Sequence, residues 1–193
     1  MEQSCQPGYS TQRTAIAQRC TAQIRPLNDA DSIGDLTALI HRAYAQLAAM
    51  GLRHTAVDQS PQTTAKRIDG GTCFVATLAD KIVGTIVVHP TYDESPCAYF
   101  TLAGVAAAHQ LAIEPAYQGL GIGRALLHKA EDWAASRGFR ELALDAAERA
   151  THLLDLYTRL GYRPVGRVQW PGKDFRCVVL SKTLPIPRGE PQC

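Results

Sequence analysis

The stretch QGLGIGRA, Gln118 to Ala125, carries glycines at 119, 121 and 123, after an apolar run ending at Ile113 and before a segment with helical apolar period. No other stretch restricts the possible folds as far. A glycine costs roughly 0.5–1 kcal/mol relative to alanine inside regular structure. Three of them here mark a strand that turns sharply into a helix and leaves its backbone bare. The first N–H groups of such a helix have no intrahelical partner and carry the positive end of its dipole. That arrangement receives anions, phosphates above all. A plain tight turn is the alternative. Gln118 before the glycines and Arg124 after them favour the anion site.

Two familiar phosphate motifs are excluded. A nucleoside-triphosphate loop needs GxxxxGK followed by Ser or Thr, and here Arg124 and Ala125 follow the last glycine. A dinucleotide fingerprint needs GxGxxG, and the sixth residue counted from Gly119 or Gly121 is Arg124 or Leu126.

The flanking segments read as a mixed α/β chain. AQIRPL suits a first strand. Asp29 or Asp31 is expected to cap a helix with apolar positions Ile33, Leu36, Ile40, Ala43, Tyr44 and Leu47. Ser60 and Pro61 suit the cap and first position of a short second helix ending near Asp69. TCFVATL and IVGTIVVH, joined by ADK, read as two antiparallel strands. A strand ending in AAAHQLAIEP leads into the glycines. A helix then runs to about Arg137, with the stripe Ile122, Leu126, Ala130, Trp133 and Ala134 opposite Arg124, His128 and Glu131. ELALDA is a strand, ATHLLDLYTRLGY a helix ending at Gly161, and RPVGRVQW with DFRCVVLSKTL a final hairpin across PGK. Residues 1–21 read as a disordered polar tail, 22–184 as one domain, and 185–193 as a C-terminal tail.

The 193 residues suit one domain with a real core. A net charge of +2 with scattered arginines gives no support for nucleic acid. No window approaches the ~18 apolar residues of a membrane span. The N-terminus lacks an apolar signal core, and the six cysteines form no CxxC pair or Cys/His cluster. A cytoplasmic protein with reduced thiols and no metal is expected, with Cys73 and Cys177 buried.

QGLGIG fits the Q/R-x-x-G-x-G/A signature of the GNAT superfamily of acyl-CoA-dependent N-acetyltransferases. LAIEPAYQGLGIGRALLHKAEDWAASRG resembles that family's strand, pyrophosphate loop and following helix, and LYTRLGYRPVG its late helix and next strand. The order of elements from Ile24 to Leu184 agrees. The resemblance implies a mostly antiparallel mixed sheet flanked by helices, with acyl-CoA between the two central strands. It implies a coenzyme A diphosphate on the amides of Gln118, Gly119, Leu120, Gly121, Ile122, Gly123 and Arg124, and a pantetheine arm along Leu111, Ala112 and Ile113. It also aligns Tyr157 with a tyrosine that often protonates the departing thiolate. By helical spacing alone Tyr157 is equally a core aromatic. Ala150 departs from the pattern, because many members place an asparagine there against pantetheine; Thr151 is a candidate cap or polar substitute.

Acyl transfer to an amine needs a neutral nucleophile, although alkyl amines have a pKa near about 10. His109 is the first candidate base, since imidazole titrates near neutrality, and Glu114 the second. Asp145 and Glu148 end the next strand, and a water chain without a dedicated base is a further option. Candidates around the acceptor are Tyr44, His54, Asp58, Tyr92, Glu94, Tyr99, Trp170, Asp174 and Arg176. The implied function is transfer of acetyl from acetyl-CoA to a primary amine of a small molecule or peptide, by direct attack in a ternary complex. A non-catalytic acyl-CoA-binding module is the alternative, and a homodimer is left open.

Overall fold

A computed structural model describes residues 22–92 and 95–185. The expected tails therefore lie outside the described residues, Pro185 excepted, as do Cys5, Cys20, Cys193 and Glu94. Chain order is β1 (Gln23–Pro26), α1 (Ile33–Ala49), α2 (Pro61–Ile68), β2 (Thr72–Leu78), β3 (Lys81–His89), β4 (Val105–Ile113), α3 (Ile122–Ser136), β5 (Glu141–Ala147), α4 (Thr151–Arg159), β6 (Arg163–Val168) and β7 (Cys177–Thr183). Single 3₁₀ turns at Thr55–Val57, Ala98–Thr101 and Pro115–Tyr117 punctuate the loops.

The strands form one seven-stranded sheet in the order β1-β2-β3-β4-β5-β7-β6. Each neighbouring pair is antiparallel except β4 with β5. The β2–β3 turn places Ala79 at φ 46° and Asp80 at φ 63°. Two left-handed residues suit a two-residue hairpin because they match the strand twist.

Helices cover both faces. Leu36, Leu39 and Ile40 of α1 pack with Cys73, Val75 and Val87 on one face. Ile122, Leu126, Leu127, Ala130 and Ala134 of α3 pack with Phe74, Ile86, Ala106 and Leu142 on the other. The pleat explains the division along β5. Leu142, Leu144 and Ala146 join the α3 core, whereas Ala143 and Ala147 join a separate core with Leu47 and Phe100. Asp145 shares the latter face by its period-two position.

Several local expectations are corrected. Ser32, not Asp29 or Asp31, caps α1, its hydroxyl accepting from the Asp35 amide at 3.1 Å. Asp31 is instead engaged by the Arg25 guanidinium at 2.6 and 2.7 Å. Thr151 does not cap α4. The cap residue is Ala150, which offers no side-chain hydrogen bond. The last hairpin has a longer loop than PGK, since β6 ends at Val168 and β7 starts at Cys177; the Gln169 side chain donates to the Lys173 and Phe175 carbonyls within that loop. Trp133 sits at the core margin, with the Arg137 guanidinium 4.2 Å over its ring. Ser60 does cap α2, accepting from the Thr63 amide at 3.1 Å, and Cys73 and Cys177 are buried.

Candidate active site

The two central strands separate. β4 and β5 pair only through Val105↔Glu141, Ala106↔Leu142 and Ala107↔Ala143, although β4 continues to Ile113 and β5 to Ala147. A bulge lies in the separated part of β4. Between the pairs Val87↔His109 and Thr85↔Ala112, two residues of β4, Gln110 and Leu111, oppose the single residue Ile86. Gln110 adopts φ 53° there. A bulge bends its strand and increases local twist. The edge of β4 that faces β5 is free from Ala108 onward, and it borders a cleft of about 1400 Å³.

One end of the cleft is closed by the glycine loop. Gly119 has φ 79° and Gly121 φ 83°, and nothing lies within 4 Å of the position either Cβ would take. Backbone conformation rather than crowding demands glycine at both. Gly121 is the N-cap of α3, and the amide of Ala125 is the first to reach a helical carbonyl, Gly121 O at 3.0 Å. The amides of Ile122, Gly123 and Arg124 precede it and have no intrahelical acceptor. The Gln118 side chain donates to the Ile113 carbonyl at 3.2 Å, tying the loop to the end of β4. Leu111, Ala112, Ile113 and every residue from Gln118 to Arg124 line the cleft.

Tyr157 reaches the cleft from α4 and is 7% exposed. Its hydroxyl has no hydrogen-bond partner among the described residues, yet it is not among the sealed, unpartnered polar atoms. It is thus open to the cleft. Burial, then the nearby Tyr44 and Asp145, push its pKa up, so the hydroxyl keeps its proton through the neutral range.

The two base candidates are placed otherwise. His109 lines the cleft but is committed on both ring nitrogens. Nε2–H donates to the Arg67 carbonyl at 3.2 Å, and Nδ1 lies 3.3 Å from the Tyr92 hydroxyl, the tautomer following from the carbonyl partner. Burial, then the Arg67 guanidinium and His89, drive its pKa down to about 3. A weak base with an occupied lone pair is a poor proton acceptor. Glu114 is not among the cleft-lining residues. Its carboxylate takes a fork from the Arg42 guanidinium at 2.7 to 3.0 Å.

On the α1 face, Tyr44, His54, Tyr92, Trp170 and Asp145 line the far end of the cleft. The Trp170 indole donates to Asp145 Oδ2 at 2.9 Å. Burial pushes Tyr44 up to about 12, with Arg67 lowering it and Asp145 raising it. Asp58, Asp174, Tyr99 and Arg176 are not part of this wall; Tyr99 donates to Glu141 at 2.7 Å and Arg176 lies 3.5 Å from Glu148. Sequence reading missed Gln59, Arg67, His89 and Gln110. His89, a polar end to an apolar run, was the one local signal among them. Among the described residues no group of three or more His, Cys, Asp or Glu is arranged for a metal, and no helix is long and apolar enough to cross a membrane.

The chain belongs to the acetyltransferase (GNAT) family, whose model matches residues 37–162. Mycothiol acetyltransferase of Geodermatophilus obscurus is 33% identical over 132 residues, 67% of this chain and 41% of that protein. The chain spans between 18% and 47% of the length of the curated relatives it matches. The solved structure of ribosomal-protein-S18-alanine N-acetyltransferase from Escherichia coli superposes with a TM-score of 0.66 at 19% identity, covering 90% of this chain and 99% of that one. A GNAT family acetyltransferase from Elizabethkingia anophelis with acetyl-CoA bound gives 0.59 at 18% identity, covering 84% and 98%.

Proposed function

We propose that this chain is an N-acetyltransferase that carries acetyl from acetyl-CoA to a primary amine in a ternary complex. The observation that carries the reading is the free β4 edge, Ala108 to Ile113, running from the open amides of the glycine loop towards the Tyr157 hydroxyl. The residues fit acetyl-CoA. Amides of Gly119 to Arg124 suit a diphosphate, and Leu111 to Ile113 offer backbone groups to the amides of a pantetheine arm. Acetyl-CoA supplies a thioester whose C–S bond breaks as the amine's N–C bond forms. Tyr157 holds a proton at its hydroxyl for the departing thiolate. Asp145, oriented by Trp170, presents a carboxylate to an incoming ammonium on the opposite face of β5. His109 and Glu114 are engaged elsewhere, so the amine's proton leaves through water in the cleft.

The names of relatives that are N-acetyltransferases support an amine acceptor as a class, and the unpartnered Tyr157 hydroxyl favours turnover over binding alone. The test is thiol release from acetyl-CoA across a panel of primary amines, with the acetylated amine identified by mass. Binding of acetyl-CoA without amine-dependent thiol release would leave the non-catalytic module as the correct reading.

A further inference from the structure

The acceptor half of the cleft holds a cation that the reaction above does not use. Arg67 stands in the last turn of α2, is half-buried, and lines the cleft. One of its N–H groups donates to Gln59 Oε1 at 2.9 Å. A guanidinium has five such donors. Among the described residues Arg67 forms no ion pair. The rest of its fork is free to meet an anion that enters the cleft.

Its support is built from buried groups. Gln59 is 4% exposed, and its amide nitrogen donates to Thr64 Oγ1 at 2.8 Å and Gln110 Oε1 at 2.7 Å. Both hydrogens of that amide are thereby committed, which turns Oε1 towards Arg67. Thr64 and Gln110 are themselves buried, and Gln110 is the left-handed residue of the β4 bulge. The bulge that borders the cleft thus also holds the bracket of the cation. Such fixation lowers the entropy lost when a ligand engages the fork.

The cation and Asp145 act on the same space. Burial is the largest influence on the pKa of both Tyr44 and His54, whose ring centroids lie 6.0 Å apart; beyond it Asp145 raises both and Arg67 lowers both, with Lys173 acting alongside Arg67 on His54. An acceptor beside these rings has both the Asp145 carboxylate and the Arg67 guanidinium among the walls of its cleft. The amide loop for a diphosphate belongs to a separate element, Gln118 to Arg124. Lys173, on the β6–β7 loop, also lines the cleft but lacks any comparable buried bracket.

We infer that the acceptor is an amine bearing a carboxylate, an amino acid or short peptide, with its ammonium at Asp145 and its carboxylate on the Arg67 fork. The inference rests on the acetyltransferase reading and narrows its substrate. Guanidinium and carboxylate match as two parallel N–H···O bonds, a geometry lysine cannot supply.

The test compares matched pairs with acetyl-CoA: phenylalanine, 3-aminopropanoate, 4-aminobutanoate and glycylglycine, each against its primary amide. In the wild type at least one acid should exceed its amide in kcat/KM by about 10- to 100-fold. Arg67→Met should bring that ratio to about 1, Arg67→Lys should recover part of it, and Lys173→Met should leave it standing. The acetyl-CoA-induced rise in Tm, read on each variant, reports folding and cofactor binding separately. Equal use of acids and amides, or a ratio that survives Arg67→Met, overturns the inference while the acetyltransferase reading stands. Thiol release with none of these amines, nor any other primary amine, overturns that reading instead. Acid-specific stabilisation of the CoA complex, measured by thermal shift, then still decides the role of Arg67, and its absence overturns it.

Discussion

His109 gives the most quantitative prediction. Its folded pKa is about 3, set first by burial and then by Arg67 and His89, against about 6.5 for an unfolded histidine. Between those values the unfolded chain binds a proton that the folded chain does not. Stability from this group is therefore complete above about pH 6.5 and is lost progressively as pH falls towards 3. Lowering the pH from 7 to 5 should cost about 2 kcal/mol through His109 alone, from ~1.36 kcal/mol per unit over the part of the window crossed. His89 and His54 are also shifted down, burial again the largest cause, so they add to the wild-type loss. His109→Gln keeps an N–H for the Arg67 carbonyl and removes the titration. Urea unfolding of both proteins at pH 7 and pH 5, with slopes compared, measures the difference. The variant should lose about 2 kcal/mol less than the wild type. Equal losses would show that His109 takes a proton within the fold, and would return it to candidacy as a general base.

Tyr157→Phe should lower kcat by about 10²- to 10⁴-fold with little change in acetyl-CoA affinity; near-normal turnover would assign thiolate protonation to water. Gly121→Val forces a β-branched residue to φ 83° at the N-cap of α3, so the Tm rise produced by acetyl-CoA should vanish while the protein stays folded, and an intact rise refutes the amide cradle. Gly84→Ala would set a Cβ 2.8 Å from Ile113 Cδ1 and 3.3 Å from the Ala112 carbonyl, so chemical denaturation should show a loss of roughly 1–3 kcal/mol, and wild-type stability would mean that the Ile113 side chain swings clear. Glu114→Gln breaks the fork with Arg42 at the surface and should leave kcat within about twofold; a large fall in kcat would restore Glu114 as the base.

The parts of the fold legible in the sequence were those fixed by local rules. Alternate glycines ahead of a 3.6-period stripe located the loop and α3, and short apolar runs bounded by turn residues located β2, β3 and β5. Cap choice was less secure, because Asp31 and Ser32 are adjacent and both suit an N-cap; the ion pair with Arg25 removed Asp31 from the competition. His109 was attractive as a base for its intrinsic pKa, a property of the free side chain. Its actual state is set first by burial and then by Arg67 and His89, with Tyr92 at its other nitrogen, all visible only once the strands pair. Gln59 and Arg67 escaped notice for the same reason, since a glutamine and an arginine in a short polar helix region ordinarily face water.

The β4 bulge joins these pieces into one design. A non-glycine residue in the left-handed region costs on the order of 1–2 kcal/mol, and a central strand has no local need of it. Strain of this kind persists where surrounding contacts over-determine it, and it concentrates at functional sites. At Gln110 the buried Oε1 accepts a hydrogen bond from Gln59, while its Nε2 has no partner among the described residues. The extra residue lies where β4 has parted from β5, within the strand edge free from Ala108 to Ile113, with Asp145 and Tyr157 on the far wall of the gap. The strained residue thus borders the cavity, and the same residue, through Gln59, orients the guanidinium that faces it.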